Sequence, residues 1–301
     1  MPTSPAPSPP ERASNSNSSS VPNSFKNWSA TRIYLKGEAR RVTILVSDLR
    51  GFSSLSQRLG ASKTCSLMRD MMERLSERIV EEGGVIVDYA GDGILAMWNA
   101  PAAQPDHALR ACRAALAMQA EMPGLNETWH ETVGVPLRLG IGLNTGEAQV
   151  GNTGSKRKFK YGPHGHTVNL ASRIQDTTKK LGIPILITES TRRSLPPEMA
   201  VRRLGKVYVA GISEPVMIYE LAGASPSADW LKQKDVYEKA LEAYEKGEWA
   251  RACQTLTQIL ELSDPHTQKK FDTPTLKLMR QAWGCLEQPP DPFDPILELP
   301  Q

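Results

Sequence analysis

The order of apolar and polar positions divides the chain into three stretches. Residues 1 to about 24 carry mostly Pro, Ser and Asn, with almost no large apolar side chain. Such a stretch cannot bury enough surface to offset chain entropy, and it reads as disordered or as a linker left after an upstream domain. From Arg41 onward, short apolar runs alternate with helical spacings. Val42–Ser47 is a continuous apolar run suited to the middle of a sheet. Phe52 to Glu82 has helical spacing, with Leu67, Met71, Leu75 and Ile79 on one stripe, and Gly83-Gly84 ends it. Val85–Asp88 and Ile94–Trp98 predict a hairpin around Gly91, and Ala108 to Met122 a second helix. Leu137–Leu143 and Ala148–Gly151 predict another strand pair, and Val168 to Leu181 a helix. Ile185–Thr188 and Val216–Leu221 predict strands, with helix and loop between them. A mixed sheet with helices packed on it is an α+β fold.

After Ala224-Ser225-Pro226-Ser227 the pattern becomes helical. Trp230, Tyr237, Ala240, Ala243 and Tyr244 form one stripe, Gly247 breaks it, and Trp249, Ala252, Leu256, Ile259 and Leu260 form a second. The pair reads as an α-helical hairpin. It resembles a single tetratricopeptide-like repeat, or else a helical extension that packs on the preceding domain.

The chemistry begins with two carboxylates. Asp48 ends the run Val42-Thr43-Ile44-Leu45-Val46-Ser47, and Asp92 follows Gly91 in the turn of the predicted hairpin. That arrangement brings two hard oxygen ligands together at one end of a sheet, where they can hold a pair of Mg²⁺ ions for attack on a phosphate. The same residues also fit two Asp side chains in β-turns. A third segment, Thr167-Val168-Asn169-Leu170-Ala171-Ser172-Arg173, shifts the balance. Asn169 and Arg173 are four residues apart and share a helix face.

Together these segments resemble the class III nucleotide cyclases, the adenylyl and guanylyl cyclase catalytic domain. The matching stretches are Val46-Ser47-Asp48-Leu49-Arg50-Gly51-Phe52-Ser53, Gly91-Asp92-Gly93-Ile94-Leu95-Ala96 and Val168-Asn169-Leu170-Ala171-Ser172-Arg173. Gly140-Ile141-Gly142-Leu143-Asn144-Thr145-Gly146-Glu147 lies between them. The resemblance covers about residues 38 to 222. It implies a ferredoxin-like, palm-type sheet and three units: 1–37, the Pro/Ser/Asn-rich segment; 38–222, the catalytic domain; and 223–301, the helical extension with its Pro-rich tail. It also implies two Mg²⁺ or Mn²⁺ ions per site, on Asp48, Asp92 and the Leu49 carbonyl. The turn Gly51-Phe52-Ser53 would offer helix N-terminal amides to the β- and γ-phosphates. Asn169 would orient the ribose and Arg173 would stabilise charge on the α-phosphoryl group, both coming from the second protomer of a homodimer.

Three positions depart from that pattern. Asp88 stands where adenylyl cyclases carry Lys and guanylyl cyclases Glu, and a carboxylate suits the N–H donors of guanine. Gly162 stands at the second base-reading position and can read no base. Ala210, in Val209-Ala210-Gly211-Ile212, replaces a triphosphate-binding Lys. Lys206 lies some 13 Å away along a strand, at roughly 3.3 Å per residue, and does not substitute. Arg157 and Lys158, in the run Lys156-Arg157-Lys158-Phe159-Lys160, would compensate at the phosphates, or form a solvated hairpin tip. The expected substrate is therefore ATP or GTP. The alternative is a cyclase-like module that binds nucleotide with little or no turnover. A diguanylate cyclase is disfavoured, because the Gly-Gly-Asp/Glu-Glu-Phe signature is absent.

Composition narrows the rest. A net charge of +3 gives no reason to expect nucleic acid. Cys65, Cys112, Cys253 and Cys285 are isolated from one another and form no metal spacing, which fits reduced thiols in a cytoplasmic protein. No apolar run approaches the roughly 18–20 residues of a membrane span. A protein partner is expected for the helical extension.

Overall fold

The computed structural model describes residues 37–155, 158–260 and 272–299, with the side chains of residues 154–159 left out. Nine strands form one sheet in the order β2-β3-β1-β4-β6-β8-β7-β9, with β5 (Lys158–His164) paired to β4. At its centre, β1 (Glu38–Leu49) lies antiparallel between β3 (Gly93–Trp98) and β4 (Leu139–Ser155). Its apolar run is explained by burial on both faces. Leu45 and Leu49 enter the core under α1 (Phe52–Glu81) and α2 (His107–Val133), while Val42 and Ile44 enter the opposite one with Ala171. The stripe Leu67, Met71, Leu75 and Ile79 is wholly buried against the first face. At roughly 1.5–3 kcal/mol for each large apolar side chain, that stripe alone anchors α1. Gly60, with φ +75°, bends α1 between its first two turns and the long remainder.

Several elements differ from the expected ones. The strand pair expected over 137–151 is one continuous strand, β4, matched along all of β1 from Glu38↔Val150 to Leu49↔Leu139. Asn144-Thr145-Gly146 looked like a break because its side chains are polar or absent, yet Asn144 and Thr145 are buried and satisfied. Thr145 Oγ1 meets Thr43 Oγ1 at 2.8 Å and Thr191 Oγ1 at 3.0 Å, and Asn144 Nδ2 donates to the Thr167 carbonyl at 3.0 Å. Helix α2 continues past Pro123 to Val133, because Met118, Met122, Leu125 and Val133 keep one face in the core. That burial outweighs the roughly 3 kcal/mol cost of an interior proline. Between β6 (Ile185–Thr188) and β8 (Val216–Gly223), the short helix α4 (Glu189–Arg192) is followed by a strand, β7 (Ala200–Val207), where only loop was expected.

The helical extension contains more than a hairpin. Helices α5 (Ala228–Glu245) and α6 (Trp249–Leu256) form the expected pair, and α7 (Thr273–Glu287) and the short strand β9 (Ile296–Leu297) follow. Strand β9 pairs in parallel with β7, so the extension shares the sheet. Its helices share a core with Ile174 of α3 (His166–Leu181), Leu186, Leu204 and Ile218. A buried ionic network joins them: Arg202 donates to Glu220 at 2.6 Å and to both oxygens of Asp272 at 3.0 and 3.1 Å. Asp272 also caps α7 through the Thr275 amide, and Trp230 of α5 donates to Glu220. Burial would discharge Arg202, but the two carboxylates outweigh it and hold the guanidinium charged. Among the described residues, no helix is long and apolar enough to cross a membrane.

Candidate active site

Asp48 is the penultimate residue of β1, paired with Gly140 of β4. Asp92 sits in the turn between β2 (Val85–Ala90) and β3, and the β1–β3 ladder brings that turn alongside Asp48. The Leu49 amide donates to Asp92 Oδ2 at 3.0 Å, which fixes one carboxylate against the strand end carrying the other. Both Asp side chains are half-buried. Burial pushes Asp48 up to about 7, helped by the Asp92 charge, a hydrogen bond with Asp92 and the Asp176 charge, and opposed by Lys179. Two adjacent carboxylates that repel one another mark a place where a divalent cation relieves the repulsion. Among the described residues there is no group of three or more His, Cys, Asp or Glu side chains that could hold a metal. Two carboxylates supplemented by backbone carbonyl and substrate phosphate oxygens nevertheless suit Mg²⁺, which rarely uses an all-protein cage. The donor set fits.

Asp176 and Lys179 were not anticipated from sequence. They reach Asp48 because α3 lies unusually close to β4. A Cβ on Gly140 would sit 2.4 Å from Thr178 Oγ1, and one on Gly142 would sit 2.3 Å from the Gln175 backbone nitrogen. The legible signal was Gly140-Ile141-Gly142, whose glycines share one face of the strand. One turn toward the N-terminus of α3, Asn169 and Arg173 stand exposed, and Arg173 pairs with Asp176 at 3.2 Å.

Gly51 precedes α1 with φ +76°, a conformation that favours glycine, and its surroundings are open. Phe52 packs on the core beneath, while Ser53 is exposed, and the first turn carries no acidic residue. The amides at this helix start follow directly in the chain on the strand end that carries Asp48. Asp88 is exposed on β2, and Lys160 of β5 approaches it. Gly162 is buried, and Val87 packs where its side chain would be. Ala210 is exposed in the β7–β8 connection. Arg157 and the side chain of Lys158 lie outside the described residues. His107 is buried and shares a 2.7 Å hydrogen bond with Thr43.

Residues 35–223 match the model of the adenylate and guanylate cyclase catalytic domain. The chain belongs to this family. It is 31% identical over 185 residues to adenylate cyclase 1 of Rhizobium meliloti, covering 61% of this chain and 28% of that protein. It is 35% identical over 189 residues to adenylate cyclase of Anabaena cylindrica, covering 60% and 37%. The match therefore spans only about a third of these relatives' length. Among solved structures it resembles the adenylyl cyclase CyaB from P. aeruginosa, with TM-score 0.59, 30% identity, and 64% of this chain and 98% of that one covered. It also resembles the guanylyl cyclase Cya2, with TM-score 0.58, 35% identity and the same coverage. The mixed sheet flanked by helices is thus the cyclase fold, and the helices beyond Gly223 lie outside the family match.

Proposed function

We propose that this protein converts ATP or GTP to a 3′,5′-cyclic nucleotide and pyrophosphate, at sites shared between two copies of the chain. The observation that carries this reading is the Asp48–Asp92 carboxylate pair at the sheet end of a cyclase-family domain. Asp48 and Asp92, with the Leu49 carbonyl, are the groups that would hold two Mg²⁺ or Mn²⁺ ions. Those ions, when bound, supply charge that acidifies the 3′-hydroxyl and neutralises the departing pyrophosphate.

The protein's own groups do the positioning. The amides of Gly51, Phe52 and Ser53 face the β- and γ-phosphates at a helix N-terminus. Asn169 of the second copy orients the ribose. Arg173 of that copy exchanges its exposed partner Asp176 for the α-phosphoryl oxygens, where charge develops. Both residues are exposed and their helix is rigidly seated on β4, which supports a role toward a neighbouring chain.

The test is product identity. Purified protein incubated with each triphosphate and Mn²⁺ should release pyrophosphate and a nucleotide lighter by one water than the monophosphate. Appearance of the plain monophosphate or diphosphate instead would mean hydrolysis and would contradict the proposal. Ala210 in place of a triphosphate Lys favours a second reading, a nucleotide-binding module without turnover. Binding with no product in the same assay would support that one.

A further inference from the structure

Lys160 places its Nζ 2.5 Å from Asp88 Oδ2, across two strands that are not neighbours in the sheet. The two side chains remain 42% and 50% exposed, so a ligand can reach both. Local geometry makes the meeting specific. The β2–β3 register shifts between Ile86 and Asp88, leaving Val87 as an extra residue at a bulge. Val87 packs on Gly162, where an added Cβ would sit 2.6 Å from Val87 Cγ1. Lys160 and Gly162 share one face of β5, since side chains alternate along a strand. A donor thus stands beside the position that lacks a side chain, and an acceptor stands beside the donor. Asp92 lies four residues beyond Asp88, so this pair belongs to the same hairpin as the metal-type carboxylate.

We propose that Lys160 is a specificity-determining residue that reads guanine together with Asp88. The inference rests on the cyclase reading and deepens it. Guanine presents two neighbouring N–H donors, N1 and N2, beside the O6 acceptor. The Asp88 carboxylate accepts from both donors, and the Lys160 ammonium donates to O6. Held in the same pose by its ribose and triphosphate, adenine turns its N6 donor to the Lys160 ammonium and its N1 acceptor to the Asp88 carboxylate, so neither group bonds it. The Lys160–O6 bond alone corresponds to about a ten- to hundredfold preference for GTP. An exposed ion pair contributes little to stability, so removing Lys160 should spare the fold.

The experiment compares wild type with Lys160→Met in two readouts. One is kcat/KM for GTP, ITP and ATP. The other is equilibrium binding of 3′-deoxy-GTP and 3′-deoxy-ATP, which lack the attacking hydroxyl. Wild type should prefer guanine by at least about tenfold in both, with ITP intermediate because it keeps the N1 and O6 bonds and lacks only the N2 amine. Lys160→Met should lower the GTP:ATP ratio at least about tenfold, by the loss of the O6 bond. A ratio that the substitution leaves unchanged would overturn the assignment. So would an ATP preference abolished by Lys160→Met, which would mean adenine is read instead. If no cyclic product forms, the catalytic reading fails, while the binding ratio still decides the role of Lys160.

Discussion

Replacing Asp48 by Asn should make the metal-free protein more stable near pH 8 and make it insensitive to Mn²⁺. The pKa of Asp48 is raised from 3.8 to about 7 by burial and by Asp92. At about 1.4 kcal/mol per pKa unit the cost of ionising it in the fold has a ceiling near 4 kcal/mol. Asp48 is only half-buried, and solvent screening reduces that to about 1–2 kcal/mol. The sign follows from linkage. An acid whose folded pKa is raised binds its proton more tightly in the native state. Its contribution to stability therefore falls as pH rises from about 4 to about 7, and levels off above. Asn keeps the volume and does not titrate. Urea melts in EDTA should show Asp48→Asn exceeding wild type by about 1–2 kcal/mol near pH 8, with the gap closing near pH 4. Saturating Mn²⁺ near pH 8 should then raise wild type by about 2–3 kcal/mol at a hundred times its Kd, and leave the variant unmoved. A variant less stable than wild type near pH 8 without metal, or one equally stabilised by Mn²⁺, would refute the reasoning.

Two further substitutions probe the frame that holds the site. Asp272→Ala leaves the buried Arg202 guanidinium with one carboxylate and strips the cap from α7; chemical denaturation should show a loss of about 3–5 kcal/mol, and a loss below about 1 kcal/mol would mean the network is not buried as described. Gly142→Ala drives a methyl group to 2.3 Å from the Gln175 amide nitrogen and so pushes α3 off β4. Stability should fall by about 1–3 kcal/mol and turnover by a larger factor, because Arg173 moves with the helix; unchanged kcat would show that the seating of α3 is not what aims it.

Much of this architecture was legible in the chain, and the reasons differ by element. Val42–Ser47 announced a central strand because both its faces are buried, and the Leu67–Ile79 stripe announced a core helix because its period is helical. The carboxylate pair was legible because each Asp ends an apolar run. Strand β4 was hidden at Asn144-Thr145, whose side chains find hydroxyl and carbonyl partners available only in the folded sheet. Strand β7 was hidden for a related reason: Arg202 breaks its apolar pattern, yet it is fully buried between Glu220 and Asp272, 18 and 70 residues distant. Long-range ion pairs leave no local signature. The meeting of Asp88 with Lys160 was hidden likewise, since it depends on a bulge and on a β5 register that sequence does not specify.

The central claim is a site completed by a second copy of the chain, and mixing two inactive variants tests it most directly. Asp48→Asn removes the carboxylate proposed to hold metal, and Arg173→Ala removes the cation proposed to stabilise the transition state. A two-fold dimer encloses two equal sites, so a heterodimer holds one site carrying both substitutions and one carrying neither. Cyclic nucleotide measured by mass should be near background for each variant alone and return on mixing, toward about a quarter of the wild-type level if subunits exchange at random. No recovery, with heterodimers demonstrated by differential tagging, would contradict the shared site and place the whole of it within a single chain.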